Sequence, residues 1–480
     1  MKIAMIASEA NPLAKTGGLA DVVYSLSKEL TIMGEEVMIV LPFYGNIQGT
    51  IKTAVDLVCQ YQVRMSWRTA NVEIYRTYID GISYYLVRND QYFNRGHFYG
   101  DWDDGERFAF FTMATKELFS HINFAPDVIH IHDWQPGMLP CLIKEEHPKQ
   151  EIFKNTKFVT TIHNPAFQGM FGKEVLGDLF NLSDNLFYNG QCEFGGMVST
   201  LKTAIVYSDK ITTVSPTHRE ELLTKEGSKG LNSVMEYRKY DFCGFVNGID
   251  TVVLDPKTDE KIVKNYDGRS YKTGKRTNKK ALLKYFNLPN ENAPTFALVS
   301  RLTWQKGIDL IIPACYELIA RGANVIILGS GEYEAEQSFE RMRGTFPKQV
   351  GIYIGFNDEL AHLIYAGSDF FLMPSLFEPC GIGQMMAQRY GTLPIVRRTG
   401  GLNDTVIGYN NNNLKCANGF AFDYYDVNAF INTCIYALDV YNNKSDVFNQ
   451  LIRNALKVDN SWRKSAKYYL GLYQSIVGGK

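Results

Sequence analysis

Residues 370–391 read Phe-Phe-Leu-Met-Pro-Ser-Leu-Phe-Glu-Pro-Cys-Gly-Ile-Gly-Gln-Met-Met-Ala-Gln-Arg-Tyr-Gly, a sequence that predicts a strand, a loop and a helix. The apolar run Phe370–Met373 predicts a buried strand, and a short helix is expected from about Gln384 to Tyr390. In the loop, Glu378 is stiffened by the following proline, and two glycines let the backbone approach a ligand closely. The N–H groups at a helix start carry partial positive charge, so this loop is expected to hold a phosphate beside a fixed carboxylate. An activated, phosphorylated substrate fits that combination.

Short apolar runs alternate with segments of helical periodicity along both halves of the chain. The runs that predict strands are Ile3–Ala7, Val37–Leu41, Phe124–His132, Phe158–Ile162, Lys210–Val214, Thr295–Ser300, Asn324–Leu328, Gly351–Ile354, Asp369–Met373 and Leu393–Val396. Such alternation is typical of parallel, doubly wound α/β sheets. We expect two Rossmann-like domains that face each other across a cleft, with ligands at the C-terminal ends of the strands.

The domain boundary is predicted near Asn247–Asp250, before a stretch from Leu254 to Pro294 that is mostly polar and carries a lysine-rich run. An N-terminal domain is expected over residues 1–245 and a C-terminal domain over 246–460. Apolar residues at helical spacing in 461–480 predict a closing helix, which we expect to pack back on the N-terminal domain.

Composition places the chain among ordinary globular proteins. Its 480 residues suit two domains, and 45% hydrophobic with 21% charged residues is typical of a folded, soluble protein. Fifty basic and 51 acidic side chains argue against nucleic acid or an anionic membrane as the main partner. The eight cysteines form no CxxC pair, and no apolar run is long enough to span a membrane, so a reducing cytoplasm is the expected location.

The loop Lys15–Asp21 follows the first predicted strand and opens the first predicted helix. Gly17 and Gly18 would permit a tight turn, and Lys15 could reach an anion above the helix end. The loop matches neither a Walker A motif nor GxGxxG, so a nucleoside triphosphate or dinucleotide is not indicated. An ordinary turn with a solvated lysine explains the residues equally well.

The loop Arg301–Gly307 leaves a strand of the second half. Arg301 would supply a fixed fork of donors and Lys306 a mobile charge, and together they could neutralise a diphosphate without a metal. Taken alone, two basic residues in a loop are more often simply solvated.

Two strands of the first half end in histidine-containing motifs. His130 and His132 share a strand face, which suits a metal, but no further ligands stand at a recognisable spacing, so satisfied core groups are favoured. Asp133 and the tryptophan after it are interpreted as a carboxylate and a ring for a sugar. His163 and Asn164 follow the next strand in the same layout.

Phe356 follows another predicted strand, in Gly355-Phe-Asn-Asp358. Its ring could stack on a base or fill the core, and the residues alone favour the core.

Eight motifs follow one another along the chain: Lys15-Thr-Gly-Gly-Leu-Ala-Asp-Val22, His132-Asp-Trp134, Thr161-Ile-His-Asn164, Thr213-Val-Ser-Pro216, Asn247-Gly-Ile-Asp250, Ser300-Arg-Leu-Thr-Trp-Gln-Lys-Gly307, Phe377-Glu-Pro-Cys-Gly381 and Gly400-Gly-Leu-Asn-Asp-Thr-Val406. In this order they resemble the motifs of the bacterial glycogen synthases and plant starch synthases. The resemblance implies the two-domain fold called GT-B, with an acceptor-side N-terminal domain and a nucleotide-sugar-binding C-terminal domain. It also implies transfer of glucose from ADP-glucose to the non-reducing 4-OH of an α-1,4-glucan, glycogen or a malto-oligosaccharide, with retention and without a metal or other cofactor.

Roles follow from the same resemblance, residue by residue. It implies that the catalytic groups are Glu378, Arg301, Lys306, Asp133 and the main-chain carbonyl of His163. It implies that the donor is bound by Lys15, Gly17, Gly18, Asp21, Tyr99, Asn164, Asn247, Phe356, Gly381, Ile382 and Gly383. In this set Phe356 would stack on adenine.

Two other functions remain open at the level of the residues. A retaining glycoside hydrolase could use Asp133 and Glu378, although that chemistry gives the cationic loops no role. A catalytically silent glucan-binding protein could share the fold, although a neutral glucan needs no anion-binding loop.

Overall fold

The computed structural model describes residues 1–48, 55–146 and 150–478, and the chain divides into two compact units. The first unit comprises Met1–Phe245 and Trp462–Lys480, and the second comprises Val246–Ser461. Within the described residues, no helix has the length and apolar character that a membrane span requires.

The strands of the first unit form one large and one small sheet. They are β1 (Lys2–Ile6), β2 (Glu36–Pro42), β3 (Asp56–Met65), β4 (Arg68–Ile79), β5 (Ile82–Arg88), β6 (Val128–His132), β7 (Lys157–Ile162), β8 (Met170–Phe171), β9 (Glu193–Phe194), β10 (Met197–Ser199), β11 (Lys210–Thr213) and β12 (Phe242–Gly244). The large sheet has the order β12-β11-β7-β6-β1-β2-β5-β4-β3, and β8, β10 and β9 form the small one.

The large sheet is parallel from β12 to β5, and β4 and β3 extend it in antiparallel pairing. The central strands β1 and β6 are almost wholly buried, as expected for parallel strands covered on both faces. The strand order reverses between β1 and β6, which makes the loops after these two strands the expected ligand-binding edge.

The helices of the first unit cover this sheet. They are α1 (Gly18–Ile32), α2 (Gly45–Gln48), α3 (Asp90–Phe93), α4 (Asp104–His121), α5 (Leu139–Glu145), α6 (Val175–Asp178), α7 (Asn185–Tyr188), α8 (Thr200–Tyr207), α9 (Pro216–Leu222) and α10 (Asn232–Tyr237). Helix α1 buries one apolar face, which includes Val22, Val23, Leu26 and Leu30, as its periodicity predicts.

The second unit is built around a six-stranded parallel sheet. Its elements are α11 (Tyr271–Tyr285), β13 (Thr295–Val299), α12 (Ile308–Ala320), β14 (Asn324–Gly329), α13 (Tyr333–Thr345), β15 (Val350–Ile354), α14 (Asp358–Gly367), β16 (Phe370–Met373), α15 (Gly383–Arg389), β17 (Leu393–Arg397), α16 (Gly400–Thr405), β18 (Phe420–Phe422), α17 (Val427–Asn443) and α18 (Ser445–Lys457). The sheet order β15-β14-β13-β16-β17-β18 is that of the Rossmann fold, with its reversal between β13 and β16. The predicted α/β, doubly wound class is confirmed for the large sheet of the first unit and for the sheet of the second unit.

The last helix, α19 (Trp462–Val477), belongs to the first unit although it follows the second in sequence. Trp462, Tyr469 and Tyr473 lie in the core of the first unit. The Tyr473 hydroxyl lies 2.7 Å from Nδ1 of His130, so a polar contact fixes this helix to strand β6 in addition to apolar packing.

The lysine-rich run lies in α11, a helix that the polarity of the stretch does not predict. Lys279 is buried in an ion pair with Asp369, with 2.6 Å between Nζ and Oδ2. Lys275 is buried too, and its Nζ donates to the Thr392 hydroxyl at 2.8 Å. Burial lowers the pKa of Lys275 to about 7.

Candidate functional site

Lys306 and Glu378 form a largely buried ion pair at the switch point of the second unit. Lys306 ends the loop after β13, and Glu378 lies in the loop after β16. Lys306 Nζ lies 2.6 Å from Glu378 Oε2, and the two side chains are only 14% and 10% exposed. The Ser375 hydroxyl donates to the same carboxylate oxygen at 3.0 Å. The structure thus joins two of the predicted catalytic residues in direct contact.

The two loops are held together by their backbones. The Leu376 N–H donates to the Gln305 carbonyl at 2.9 Å, and Gln305 Nε2 donates to the Phe377 carbonyl at 3.3 Å. Gly307 has a φ of 75°, and a Cβ there would lie 2.4 Å from the Pro374 carbonyl oxygen. Only glycine fits this approach, which explains its place directly after Lys306.

The loop before α15 presents backbone N–H groups. Gly381 adopts a φ of 74°, and the Gly381, Ile382 and Gly383 amides donate no hydrogen bond within the described residues. Helix α15 begins at Gly383, within one residue of the predicted start. Free amides beside a carboxylate and a lysine can bind an anion.

The side chain of Gln384 holds this loop in place. The sequence alone does not predict this role. The Gln384 side chain is fully buried, and Nε2 donates to the carbonyls of Cys380 and Gly381, both at 3.2 Å, and to the Thr405 hydroxyl at 3.0 Å. Three oxygens around Nε2 fix the orientation of the amide group. The only hint in the sequence is its position at the start of α15.

Three other predicted site residues belong to the second unit, and they differ in exposure. Asn247 is buried, its Oδ1 has no partner among the described residues, and its backbone N–H contacts the Cys380 thiol. Arg301 is exposed and makes no ion pair within the described chain. Phe356 is 89% exposed, so the core interpretation of this ring is wrong. Its Gly355 neighbour has a φ of 132° and turns the chain outward after β15.

In the first unit, the Lys15–Asp21 loop follows β1 and leads into α1. Lys15 Nζ pairs with Asp21 Oδ1 at 2.8 Å, on the exposed side of the loop. Gly17 has an extended backbone, and a Cβ at Gly17 or Gly18 would have no atom within 4 Å. The expectation that these glycines serve a tight turn is therefore wrong, because neither the backbone nor the packing requires them. The open space around them is instead available to a ligand.

Glu9 organises this loop, and the sequence gives no signal for it. The carboxylate is buried and accepts from the Thr16 hydroxyl at 2.6 Å, the Gly17 N–H at 3.3 Å and the Tyr99 hydroxyl at 2.7 Å. Glu9 therefore links predicted donor-binding residues from two distant segments.

Asp133 lies at the end of β6, across the switch point from the Lys15 loop. Its backbone has a φ of 59°, and Oδ1 accepts from the N–H groups of His163 at 2.7 Å and Asn164 at 3.4 Å. Burial raises the pKa of Asp133 to about 7, although the two N–H donors oppose the shift, and the nearby Glu9 charge adds to it. The structure thus brings three predicted residues together at one edge.

The histidines of β6 are core groups. His130 contacts Tyr473 and the Thr161 hydroxyl through its two ring nitrogens, and His132 Nδ1 lies 3.0 Å from His163 Nε2. Burial lowers the pKa of both His130 and His163 to about 3. Among the described residues, no three or more His, Cys, Asp or Glu side chains are grouped in a way that could hold a metal ion.

Comparison with known proteins identifies the family. A family described as "Starch synthase catalytic domain" matches residues 2–237, and "Glycosyl transferases group 1" matches residues 280–457. The chain is 45% identical to a glycogen synthase of Bacillus anthracis, covering 99% of this chain and 100% of the relative. It is 42% identical to a glycogen synthase of Clostridium kluyveri, with the same coverage.

Comparison with solved structures indicates the same family. The catalytic domain of starch synthase IV from Arabidopsis thaliana, solved with ADP and acarbose, is 33% identical and covers 99% of each chain with a TM-score of 0.89. The fold class is therefore that of the GT-B glycosyltransferases. The chain belongs to the family of glycogen synthases and starch synthases and is a glucosyltransferase of that family.

Proposed function

We propose that the chain transfers glucose from ADP-glucose to the non-reducing 4-OH of an α-1,4-glucan, such as glycogen or a malto-oligosaccharide, with retention at the anomeric carbon. The observation that carries this proposal is the buried Lys306–Glu378 pair, at 2.6 Å, beside the free amides of Gly381–Gly383. Family membership supports the glucan product, and a relative solved with ADP and acarbose supports an adenine nucleotide and an oligosaccharide as ligands.

In this proposal the second unit stabilises the leaving diphosphate. Lys306 and the loop amides are fixed before reaction, so they stabilise growing negative charge without reorganising. Arg301 is free to turn toward an anion, because it has no ion-pair partner within the described residues. These groups supply the charge that a metal would otherwise provide, so we propose a reaction that needs no metal or cofactor.

Glu378 serves the sugar rather than the phosphate. Its carboxylate is held by Lys306 and Ser375, which leaves it oriented beside the place where positive charge develops on the ring. The leaving phosphate oxygen takes the proton of the acceptor hydroxyl in a same-face displacement, so no protein base is assigned.

The first unit contributes the remaining donor contacts in this proposal. Asp133 and Asn164 face the sugar, and the main-chain carbonyl of His163 faces the anomeric carbon. Lys15 leaves Asp21 to meet the phosphates, and the open space at the two glycines beside it accommodates the donor. Asn247, in the second unit, has an unpartnered buried oxygen available to the ligand.

The test offers the purified protein ADP-glucose or UDP-glucose with glycogen and measures nucleoside diphosphate release. Release with ADP-glucose that requires glycogen supports the proposal. Glucose liberated from glycogen without a nucleotide sugar would instead indicate a hydrolase, and glycogen binding with no diphosphate release would indicate a silent binding protein.

A further inference from the structure

Two exposed aromatic rings stand beside the Lys306–Glu378 pair. Trp304 and Phe377 are 56% and 40% exposed, and their ring centroids lie 6.0 Å apart in an edge-to-face arrangement. Trp304 is two residues before Lys306, and Phe377 directly precedes Glu378. The ring pair, defined as Trp304 with Phe377, therefore borders the proposed reaction centre.

The backbone beneath the ring pair is firmly held although the rings are in solvent. The Trp304 N–H donates to the Glu332 carboxylate at 3.0 Å, and Trp304 opens a 3₁₀ turn that ends at Lys306. The Phe377 carbonyl accepts from Gln305 Nε2 at 3.3 Å. The backbone that carries the ring pair is thus fixed before a ligand binds, which lowers the entropic cost of ordering the site.

Two polar contacts surround the backbone of Trp304. Asp309 accepts from the Tyr425 hydroxyl at 2.6 Å, and that hydroxyl also lies 3.5 Å from the Trp304 carbonyl. The Glu332 carboxylate accepts from the Trp304 N–H. Exposed aromatic faces suit a ligand that has an apolar ring face and hydroxyl groups around its rim, which describes a glucose unit of a glucan chain.

We infer that the ring pair is a glucan-binding subsite, which holds a glucose unit of the acceptor by stacking while the chain end reacts. The inference rests on the proposed function, since it places the acceptor next to Lys306 and Glu378. Exposed aromatic rings on a fixed backbone offer large contact area at a small entropic loss. A nucleobase could also stack on such rings, and the experiment separates the two ligands.

The experiment compares Trp304→Ala, Trp304→Tyr and Phe377→Ala with the unchanged enzyme. The Michaelis constants for maltotriose, for maltoheptaose and for ADP-glucose are measured, and retention of each variant by glycogen in a native gel is measured without nucleotide. Trp67→Ala is the matched control, because Trp67 is also exposed, at 74%, but lies between β3 and β4 of the first unit.

Trp304→Ala and Phe377→Ala are expected to raise the Michaelis constant for maltoheptaose about tenfold, the effect of losing about 50 Å² of apolar contact. The constant for ADP-glucose should stay unchanged, Trp304→Tyr should retain most of the affinity because it keeps a ring, and Trp67→Ala should behave like the unchanged enzyme. A selective rise in the ADP-glucose constant, or no change in either, would overturn the inference.

Failure of the proposed function is distinguishable from failure of the subsite. If the unchanged enzyme releases no nucleoside diphosphate, the proposed function is wrong, whereas the gel still tests the ring pair. Weaker retention of Trp304→Ala by glycogen, with unaltered melting temperature, supports a glucan-binding surface, and equal retention of all variants contradicts it.

Discussion

Asp133 combines a buried carboxylate with an unusual backbone conformation. Its carboxylate is buried, its backbone is left-handed, and two main-chain N–H groups donate to it. The pKa of about 7 in the folded protein lies above the value near 3.9 expected for an unfolded chain. The folded state therefore prefers the protonated acid, and stability is lost as the pH rises from about 4 through about 7.

Asp133→Asn should remove this loss. Asparagine tolerates the left-handed backbone and keeps an oxygen for the two N–H donors. At pH 8 the free energy of unfolding should rise by on the order of 1–3 kcal/mol relative to the unchanged protein, and the difference should shrink toward zero near pH 4. Urea unfolding at both pH values measures this. An equal gain at pH 8 and pH 4 would contradict the pKa assignment.

Among single residues, the sequence is most informative for charged side chains in glycine-containing loops. Lys306 and Glu378 could be predicted because they stand in motifs at strand ends, and they meet at 2.6 Å. Glu9 could not, because its burial depends on Thr16 and Tyr99, which only the fold brings to it. The core interpretation of Phe356 is wrong because it rests on the usual burial of aromatic rings, whereas this ring is exposed.

At the scale of elements, two glutamines one turn apart on α15 offer a matched comparison. Gln384 donates to the carbonyls of the Cys380–Gly381 turn, whereas Gln388 donates to the Thr405 carbonyl at 2.9 Å and accepts from Asn460 at 2.9 Å. Both side chains are fully buried. Only the first of them supports the loop whose amides face the proposed diphosphate.

Gln384→Met and Gln388→Met should each destabilise the protein by about 1–3 kcal/mol, because each leaves buried polar groups without a partner. Gln384→Met alone should also weaken ADP binding about tenfold, since the amides of Gly381–Gly383 lose their fixed orientation. Calorimetric titration with ADP and thermal melting make the comparison. Equal ADP affinity of the two variants would show that Gln384 acts only on stability.

The same scale shows which elements a pattern of residues predicts. The fully buried strands β1, β6, β13 and β16 are short apolar runs, and their type was predictable. The antiparallel strands β3 and β4 have mixed, half-exposed surfaces, so the runs are broken by polar residues. Helix α11 could not be predicted from its polar sequence, because the burial of Lys275 and Lys279 depends on acceptors that are distant in the chain.

At the scale of the whole molecule, the chain returns to its first unit through α19. The hydroxyl of Tyr473 lies 2.7 Å from buried His130, so residues that are 343 positions apart in the sequence share one core. The helical spacing of apolar residues is enough to predict a helix in 461–480. Its partner His130 could not be predicted, because one histidine in a strand does not specify what it contacts.

Tyr473→Phe should destabilise the protein by about 1–3 kcal/mol, because a buried ring nitrogen of His130 loses its partner. Hydrogen exchange should show lost protection in Lys2–Ile6 and Val128–His132, with the strands of the second unit unchanged. Tyr468→Phe on the same helix is the control, because that side chain is 53% exposed. Loss of protection in the second unit instead would contradict the assignment of α19 to the first.

Turnover with ADP-glucose and glycogen shows whether Lys306 stabilises a departing diphosphate. Lys279→Met is the control, since Lys279 also forms a buried ion pair at 2.6 Å in the second unit, with Asp369, outside the proposed site. Lys306→Ala should reduce kcat by about 10²–10³-fold. Lys279→Met should lower stability but keep kcat for the folded protein. Near-normal kcat in Lys306→Ala would contradict the account.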